Sequence, residues 1–173
     1  MTDSDPWEER SKLSGGTNER ESVIGVISDT HGLLRSEALR VLHHVERIVH
    51  AGDIGSPDVL KQLRDIAPVV AVRGNMDGDA WSYALSRTEV VQAGKVRLYV
   101  LHDLSALDLD PAAAGFGAVI SGHSHRPSVR HRDGVLYLNP GSAGPRRFDL
   151  PVTVALLRIR GDALSAEIVH LIR

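Results

Sequence analysis

The chain has 173 residues, 42% of them hydrophobic and 24% charged, which suits one globular domain with a sizeable core and excludes a second full domain. A formal net charge of -2 gives no overall field that would draw it to nucleic acid or an anionic membrane, so any phosphate binding must be local. With no cysteine, disulfides, thiolate metal sites and cysteine nucleophiles are excluded, and His, Asp, Glu and Asn remain as metal ligands.

Residues 1 to 22 are polar and charged with no apolar run of signal-peptide type, and eighteen apolar residues never run together. A disordered or loosely held extension is expected there, ahead of a cytoplasmic domain over 23–173. Trp7 reads either as a docking residue or as an ordinary exposed aromatic.

The domain opens on Val23-Ile24-Gly25-Val26-Ile27, a β-branched run suited to a strand buried on both faces, which ends in Ser28-Asp29-Thr30-His31-Gly32. Asp29 and His31 are two apart, so in an extended segment they leave the backbone on one side and can aim at one ion. Taken alone, Asp29 reads equally as the cap or turn residue of the next helix. Ala38, Val41, Leu42 and Val45 then give one apolar helical face, with His43 and His44 beside it as surface residues. A second strand, Arg47 to His50, runs into Ala51-Gly52-Asp53. Ser56-Pro57 opens a helix in the preferred N-cap and N1 order, Val59, Leu60, Leu63 and Ile66 form its buried side, and Pro68 stops it. The third strand, Val69 to Val72, leads to Arg73-Gly74-Asn75-Met76-Asp77-Gly78. Strands alternating with helices make a parallel sheet, whose sites lie beyond the carboxyl ends of its strands, so Asp29, Asp53 and Asn75 should meet on one edge.

The second half reads differently. Thr88 to Gln92 and Lys95 to Leu101 flank Ala93-Gly94 as a hairpin, and the second strand ends in His102-Asp103. An alanine-containing stretch predicts a helix from about Ser105 to Ala114, and Ala118 to Ser121 is a short buried strand terminated by Gly122-His123-Ser124-His125. Two hairpins follow, Ser128–Arg132 with Val135–Asn139 and Thr153–Arg160 with Leu164–His170; His131 and His170 within them are read as structural.

Asp29-x-His31, Gly52-Asp53, Gly74-Asn75-x-Asp77, His102, Gly122-His123-x-His125 and Asn139-Pro140-Gly141-Ser142, in that order, resemble the calcineurin-like metallophosphoesterases, and within them the small bacterial and archaeal phosphodiesterases. The resemblance implies a four-layer α/β/β/α sandwich of two mixed β-sheets flanked by helices. It also implies two divalent ions, the first on Asp29, His31 and His125, the second on Asn75, His102 and His123, with Asp53 bridging. The expected reaction is hydrolysis of a small phosphate ester, most readily a diester, by in-line attack of a hydroxide held between the ions. Charge agrees with this ligand set. Four positive charges meet only two carboxylates, leaving about two positive charges for a hydroxide and a phosphate. Nitrogen and oxygen ligands suit manganese first, with iron, cobalt, nickel or zinc as alternatives.

Two positions depart from common family patterns. Met76 follows Asn75 where many relatives carry histidine, and His102-Asp103-Leu104 stands where His-Gly-His is common. Asp103 reads either as an orienter of His102 or as an exposed loop carboxylate. Without an evident general acid, leaving groups of low pKa are expected to be favoured. Asn75 and Arg146 or Arg147 are the expected phosphate contacts. Other readings are a metal-free protein-binding scaffold, as in the retromer subunit of this fold, and a nuclease. With 4% aromatic residues to stack on bases, the chain argues against nucleic acid as a partner; oligomeric state is not legible.

Overall fold

The computed structural model describes residues 20–172, so most of the predicted N-terminal extension, Trp7 included, lies outside the described residues. In chain order the elements are β1 (Ser22–Ile27), α1 (Ser36–Leu42), β2 (Arg47–His50), α2 (Pro57–Arg64), β3 (Val69–Ala71), β4 (Thr88–Ala93), β5 (Val96–Leu101), β6 (Ala118–Ile120), β7 (Ser128–Arg132), β8 (Val135–Asn139), β9 (Thr153–Arg160) and β10 (Ala163–His170). β1 begins at Ser22, one residue before the expected boundary, and Ser22 Oγ and Arg20 both bond the Glu46 carboxylate.

Two mixed five-stranded sheets result, in the orders β10-β9-β1-β2-β3 and β4-β5-β6-β8-β7. β1, β2 and β3 run parallel through α1 and α2, and β5, β6 and β8 run parallel in the second sheet. The sheets pack face to face over Ile24, Val26, Val49, Leu98, Val100, Ile120, Leu136, Leu138 and Leu157. Each such buried Leu or Ile contributes about 1.5–3 kcal/mol relative to an exposed one. α1 and α2 cover the outer face of the first sheet through Ala38, Leu42, Val59, Leu60 and Leu63. A Cβ at Gly25 would collide with Leu42 Cδ2, so glycine at this strand position sets how closely α1 approaches.

α2 is capped as its sequence predicts, Ser56 Oγ accepting from Asp58 N at 3.3 Å with Pro57 at the first turn. α1 is shorter than its apolar stripe. It ends at Leu42, and Val45 is buried beyond it, because Glu46 N donates to Val23 O at 2.9 Å and pulls the chain into β2. His43 and His44 are exposed, as expected.

The predicted helix from Ser105 to Ala114 does not form. Leu104–Ala106 is a single 3-10 turn, and one further turn follows in which Asp110 Oδ1 accepts from Ala112 N at 3.0 Å and Ala113 N at 3.2 Å. Gly115, at φ 76, ends that turn after Pro111 has begun it, which leaves too few residues for an α-helix. These turns place Leu107, Leu109 and Phe116 against Tyr99, Leu101, Val119 and Val135. The sandwich is the expected one, with its outermost layer on the second sheet built from turns. Among the described residues no helix is long and apolar enough to cross a membrane.

Candidate metal centre

All seven predicted ligands lie in loops at the carboxyl ends of parallel strands: Asp29 and His31 after β1, Asp53 after β2, Asn75 after β3, His102 after β5, and His123 and His125 after β6. The loops are tied by backbone bonds rather than by side chains alone. Asp29 N donates to Gly52 O at 3.0 Å, His31 N to Asp53 O at 3.0 Å, Gly122 N to His102 O at 2.9 Å and Ala143 N to Ser28 O at 3.0 Å. Five of the seven, Asp29, His31, Asp53, His123 and His125, have φ between 46 and 67. This left-handed conformation costs a side chain with a Cβ about 1–3 kcal/mol and persists where the surroundings over-determine it. Asp29 does not cap α1, whose N-cap is Arg35 with no side-chain cap bond.

Two groups among the described residues have the spacing to hold a metal ion, Asp29 with His31 and His125, and Asp29 with Asp53 and His102, and Asp53 lies between the two sets of predicted ligands. In the first, Asp29 Oδ1 lies 3.2 Å from His125 Nε2, and His125 Nε2 lies 3.4 Å from His31 Nε2. In the second, Asn75 Oδ1 is 3.0 Å from His102 Nε2 and 3.1 Å from His123 Nδ1. Asp53 Oδ2 stands between them, 3.4 Å from His102 Nε2 and 4.0 Å from His31 Nε2, while its Oδ1 accepts from Met76 N at 2.8 Å. The His102 ring is set by its other nitrogen: Nδ1 donates to Ala51 O at 2.7 Å, which turns Nε2 toward Asp53 and Asn75.

The donor set fits divalent cations. Asp29 Oδ1 is buried without a hydrogen-bond partner, and burial pushes the Asp29 carboxyl up to about 6. A buried carboxylate so placed, facing two imidazole nitrogens, is stabilised by a cation and by little else. Burial, followed by the Arg147 charge, brings His125 down to about 4, and burial likewise lowers His31, so both rings are neutral ligands at pH 7. Burial raises Asp53, but hydrogen bonds from His102 and the Met76 N–H outweigh it and keep the carboxylate ionised. Gly74 is required by close approach, since a Cβ there would overlap the Asp53 backbone and carboxylate.

Arg147, rather than Arg146, reaches this centre: its guanidinium lies 3.4 Å from His31 Nε2, whereas Arg146 is exposed without a hydrogen bond or ion pair among the described residues. Asp103 does not orient His102. It caps the 3-10 turn by accepting from Ser105 N at 2.9 Å, and its other oxygen is 3.8 Å from His123 Nε2. His131 and His170 are exposed strand residues.

Supporting residues emerge that sequence reasoning missed. The Asp77 carboxylate accepts from Ile54 N, Gly55 N and Gly74 N at 3.2, 2.9 and 2.9 Å, joining the loops that carry Asp53 and Asn75. Asn139 Nδ2 donates to Gly122 O at 2.7 Å and to Ser124 Oγ at 3.1 Å, and Ser142 Oγ donates to Asp29 O at 3.0 Å. The motif Asn75-x-Asp77 and the run Asn139-Pro140-Gly141-Ser142 were their sequence signals.

His50 is fully buried beneath the Asp29–His31 loop. Thr30 Oγ1 gives its proton to Ile54 O at 2.9 Å, so it accepts from His50 Nε2 at 2.9 Å, and His50 Nδ1 then accepts from Gly52 N at 3.2 Å. Only a neutral ring satisfies both contacts, and burial brings its pKa from 6.5 down to about 3. Above 6.5 both folded and unfolded chains carry this ring neutral. Below it the unfolded chain takes a proton that the folded chain refuses, so His50 removes stability as pH falls, by roughly 1.4 kcal/mol per unit, until about pH 3. Other groups titrate in the same range, so the test is a comparison of urea unfolding at pH 7.5 to 4 between wild type and His50→Gln, both metal-free. The variant should lose less stability on acidification; parallel curves would contradict the assignment.

Residues 23–162 match the family model described as the calcineurin-like phosphoesterase superfamily domain. A probable metallophosphoesterase of Methanothermobacter thermautotrophicus is 36% identical over 160 residues, which is 86% of this chain and 92% of that protein. Among solved structures, one reported as a novel archaeal phosphodiesterase superposes with a TM-score of 0.71 at 24% identity, covering 85% of this chain and 99% of its own. Vacuolar protein sorting 29 of Cryptosporidium parvum gives 0.71 at 19% identity, covering 86% and 97%. These two structures share the fold. The family match and the archaeal relative go further, and with them the chain belongs to the calcineurin-like phosphoesterase superfamily.

Proposed function

We propose that this protein is a phosphodiesterase that uses two divalent metal ions to hydrolyse small phosphate esters. The observation that carries the proposal is the placing of the Asp53 Oδ2 atom between the His31 and His102 ring nitrogens, with a further histidine and a second side-chain oxygen on each side. Asp29, His31 and His125 would hold one ion, Asn75, His102 and His123 the other, with Asp53 shared. When bound, such ions lower the pKa of the attacking water and offset charge developing on the phosphoryl oxygens. These nitrogen and oxygen ligands accept manganese, the ion expected here, and also iron, cobalt, nickel or zinc.

The chain's own residues supply orientation and charge. His102 is locked by Ala51 O, Asp53 is kept anionic by its hydrogen bonds, and the Arg147 guanidinium at the rim is placed to take a phosphate oxygen. Among the described residues beside the centre, neither Met76 nor Asp103 is suited to protonate a leaving group. Met76, 64% exposed, has no transferable proton, and the Asp103 carboxyl is held below its usual range first by the Ser105 N–H, so it is ionised at neutral pH.

Metal analysis and turnover together test the reading. The purified protein should hold two divalent ions per chain and lose turnover in EDTA, regaining it with manganese. Bis(4-nitrophenyl) phosphate should turn over at least about 100-fold faster than a dialkyl phosphate, because a general acid worth that factor or more is missing. Metal-free protein without hydrolysis would favour the scaffold reading, and equal rates for the two esters would sink the leaving-group argument.

A further inference from the structure

A groove of about 690 Å³ opens beside the metal centre, and none of the chemistry above uses it. His123 belongs to both: its Nδ1 faces Asn75 Oδ1 at 3.1 Å, and its ring forms one end of the groove. From there the wall runs through Arg126 and along the edge strand β7. In the β7–β8 register Ser128, Arg130 and Arg132 stand opposite Asn139, Tyr137 and Val135. Alternate residues of a strand share a face, so Ser128, Arg130 and Arg132 form one row at steps of roughly 7 Å, with Tyr137 as floor.

Two of the three arginines along this wall lack internal partners among the described residues. Arg132 Nε is 3.4 Å from Asp133 Oδ2, but the guanidinium groups of Arg126 and Arg130 make no hydrogen bond or ion pair among the described residues. Among the described residues Asp103 is the one carboxylate in the lining, and it lies at the His123 end. The groove is therefore positive away from the metal centre, and its size is ordinary for a site holding a small organic ligand. Arg126, just ahead of β7, and Arg130 on it line a groove that leads away from a phosphate-ester site past Tyr137, and two such guanidinium groups suit a second anionic group on the same substrate.

Building on the phosphodiesterase reading, we infer that the groove along β7 binds the distal part of an elongated phosphodiester that carries a second phosphate, held by Arg126 and Arg130. The substrate class is thereby narrowed to diesters with a further anionic group several ångströms from the scissile phosphate.

Two diesters differing by one terminal phosphate make the test: diadenylate and 5′-phosphorylated diadenylate. Calorimetric titration in EDTA, where no turnover occurs, should give about tenfold tighter binding of the phosphorylated compound to wild type. The ratio should fall to about one in Arg126→Ala/Arg130→Ala and invert in Arg126→Glu/Arg130→Glu, with circular dichroism confirming that each variant is folded. Equal affinity for the two compounds in wild type, or a ratio unchanged in the folded alanine variant, would overturn the inference. Turnover of bis(4-nitrophenyl) phosphate by the manganese-loaded wild type is read separately. Its absence, with the binding ratio intact, would count against the phosphodiesterase reading and leave the groove standing.

Discussion

Asp53→Asn is expected to cut phosphoesterase turnover by about 10²- to 10³-fold or more while leaving the chain folded. Asparagine has the shape of aspartate and tolerates the left-handed φ of 52 at this position, so the loop has no steric reason to move. Its amide oxygen can still accept from Met76 N, the contact that Asp53 Oδ1 makes at 2.8 Å. That orientation turns an NH2 group toward His31 Nε2 and His102 Nε2, where Asp53 Oδ2 now lies at 4.0 and 3.4 Å. A donor replaces the shared acceptor, and one of the two negative charges among the seven ligands is lost. Bound metal should drop from two ions per chain to one or none, measured by elemental analysis beside turnover of bis(4-nitrophenyl) phosphate. Two ions and more than half of wild-type turnover in this variant would remove Asp53 from its bridging place.

The strands and their polar ends were legible because each apolar β-branched run stops abruptly at an Asp, Asn or His, and parallel strands carry such ends to one edge. Local sequence could not separate the two uses of Asp29. A helix cap and a metal ligand both place a carboxylate after a strand, and only the structure shows the α1 N-cap six residues later, at Arg35. The stretch after His102 misled through composition: its alanines favour helix, but Asp110 and Gly115 bound a single turn. Between Arg146 and Arg147 the sequence offered no distinction, because the choice is made by the loop, in which Phe148 takes φ 52 and Arg147 is turned to His31. His50 was hidden for another reason. Inside a strand it looks like any half-buried polar residue, and its partners, Thr30 and the Gly52 N–H, are assembled only when the β1 and β2 ends meet.

Asp77 was quoted only as part of a motif, yet its replacement should be among the most damaging to the fold. In Asp77→Ala three backbone donors lose their acceptor, Ile54 N and Gly74 N in a buried place and Gly55 N in a part-buried one. A buried unsatisfied donor costs about 1–3 kcal/mol, and allowing for partial rescue by water the variant should lose about 3–5 kcal/mol. The damage reaches the metal centre by a short path. Gly32 N donates to Ile54 O at 2.7 Å and His31 N to Asp53 O at 3.0 Å, so the loop that Asp77 holds also holds His31. Gly74, packed against the Asp53 carboxylate, loses its tether at the same time. Asp77→Asn keeps one acceptor oxygen and should lose only about 1–2 kcal/mol, which separates the hydrogen-bonding role from mere packing. Urea unfolding midpoints of the three proteins, read beside their metal content, give the answer. An Asp77→Ala protein with a wild-type midpoint and two bound ions would show that the β2 and β3 loops hold their places without this carboxylate.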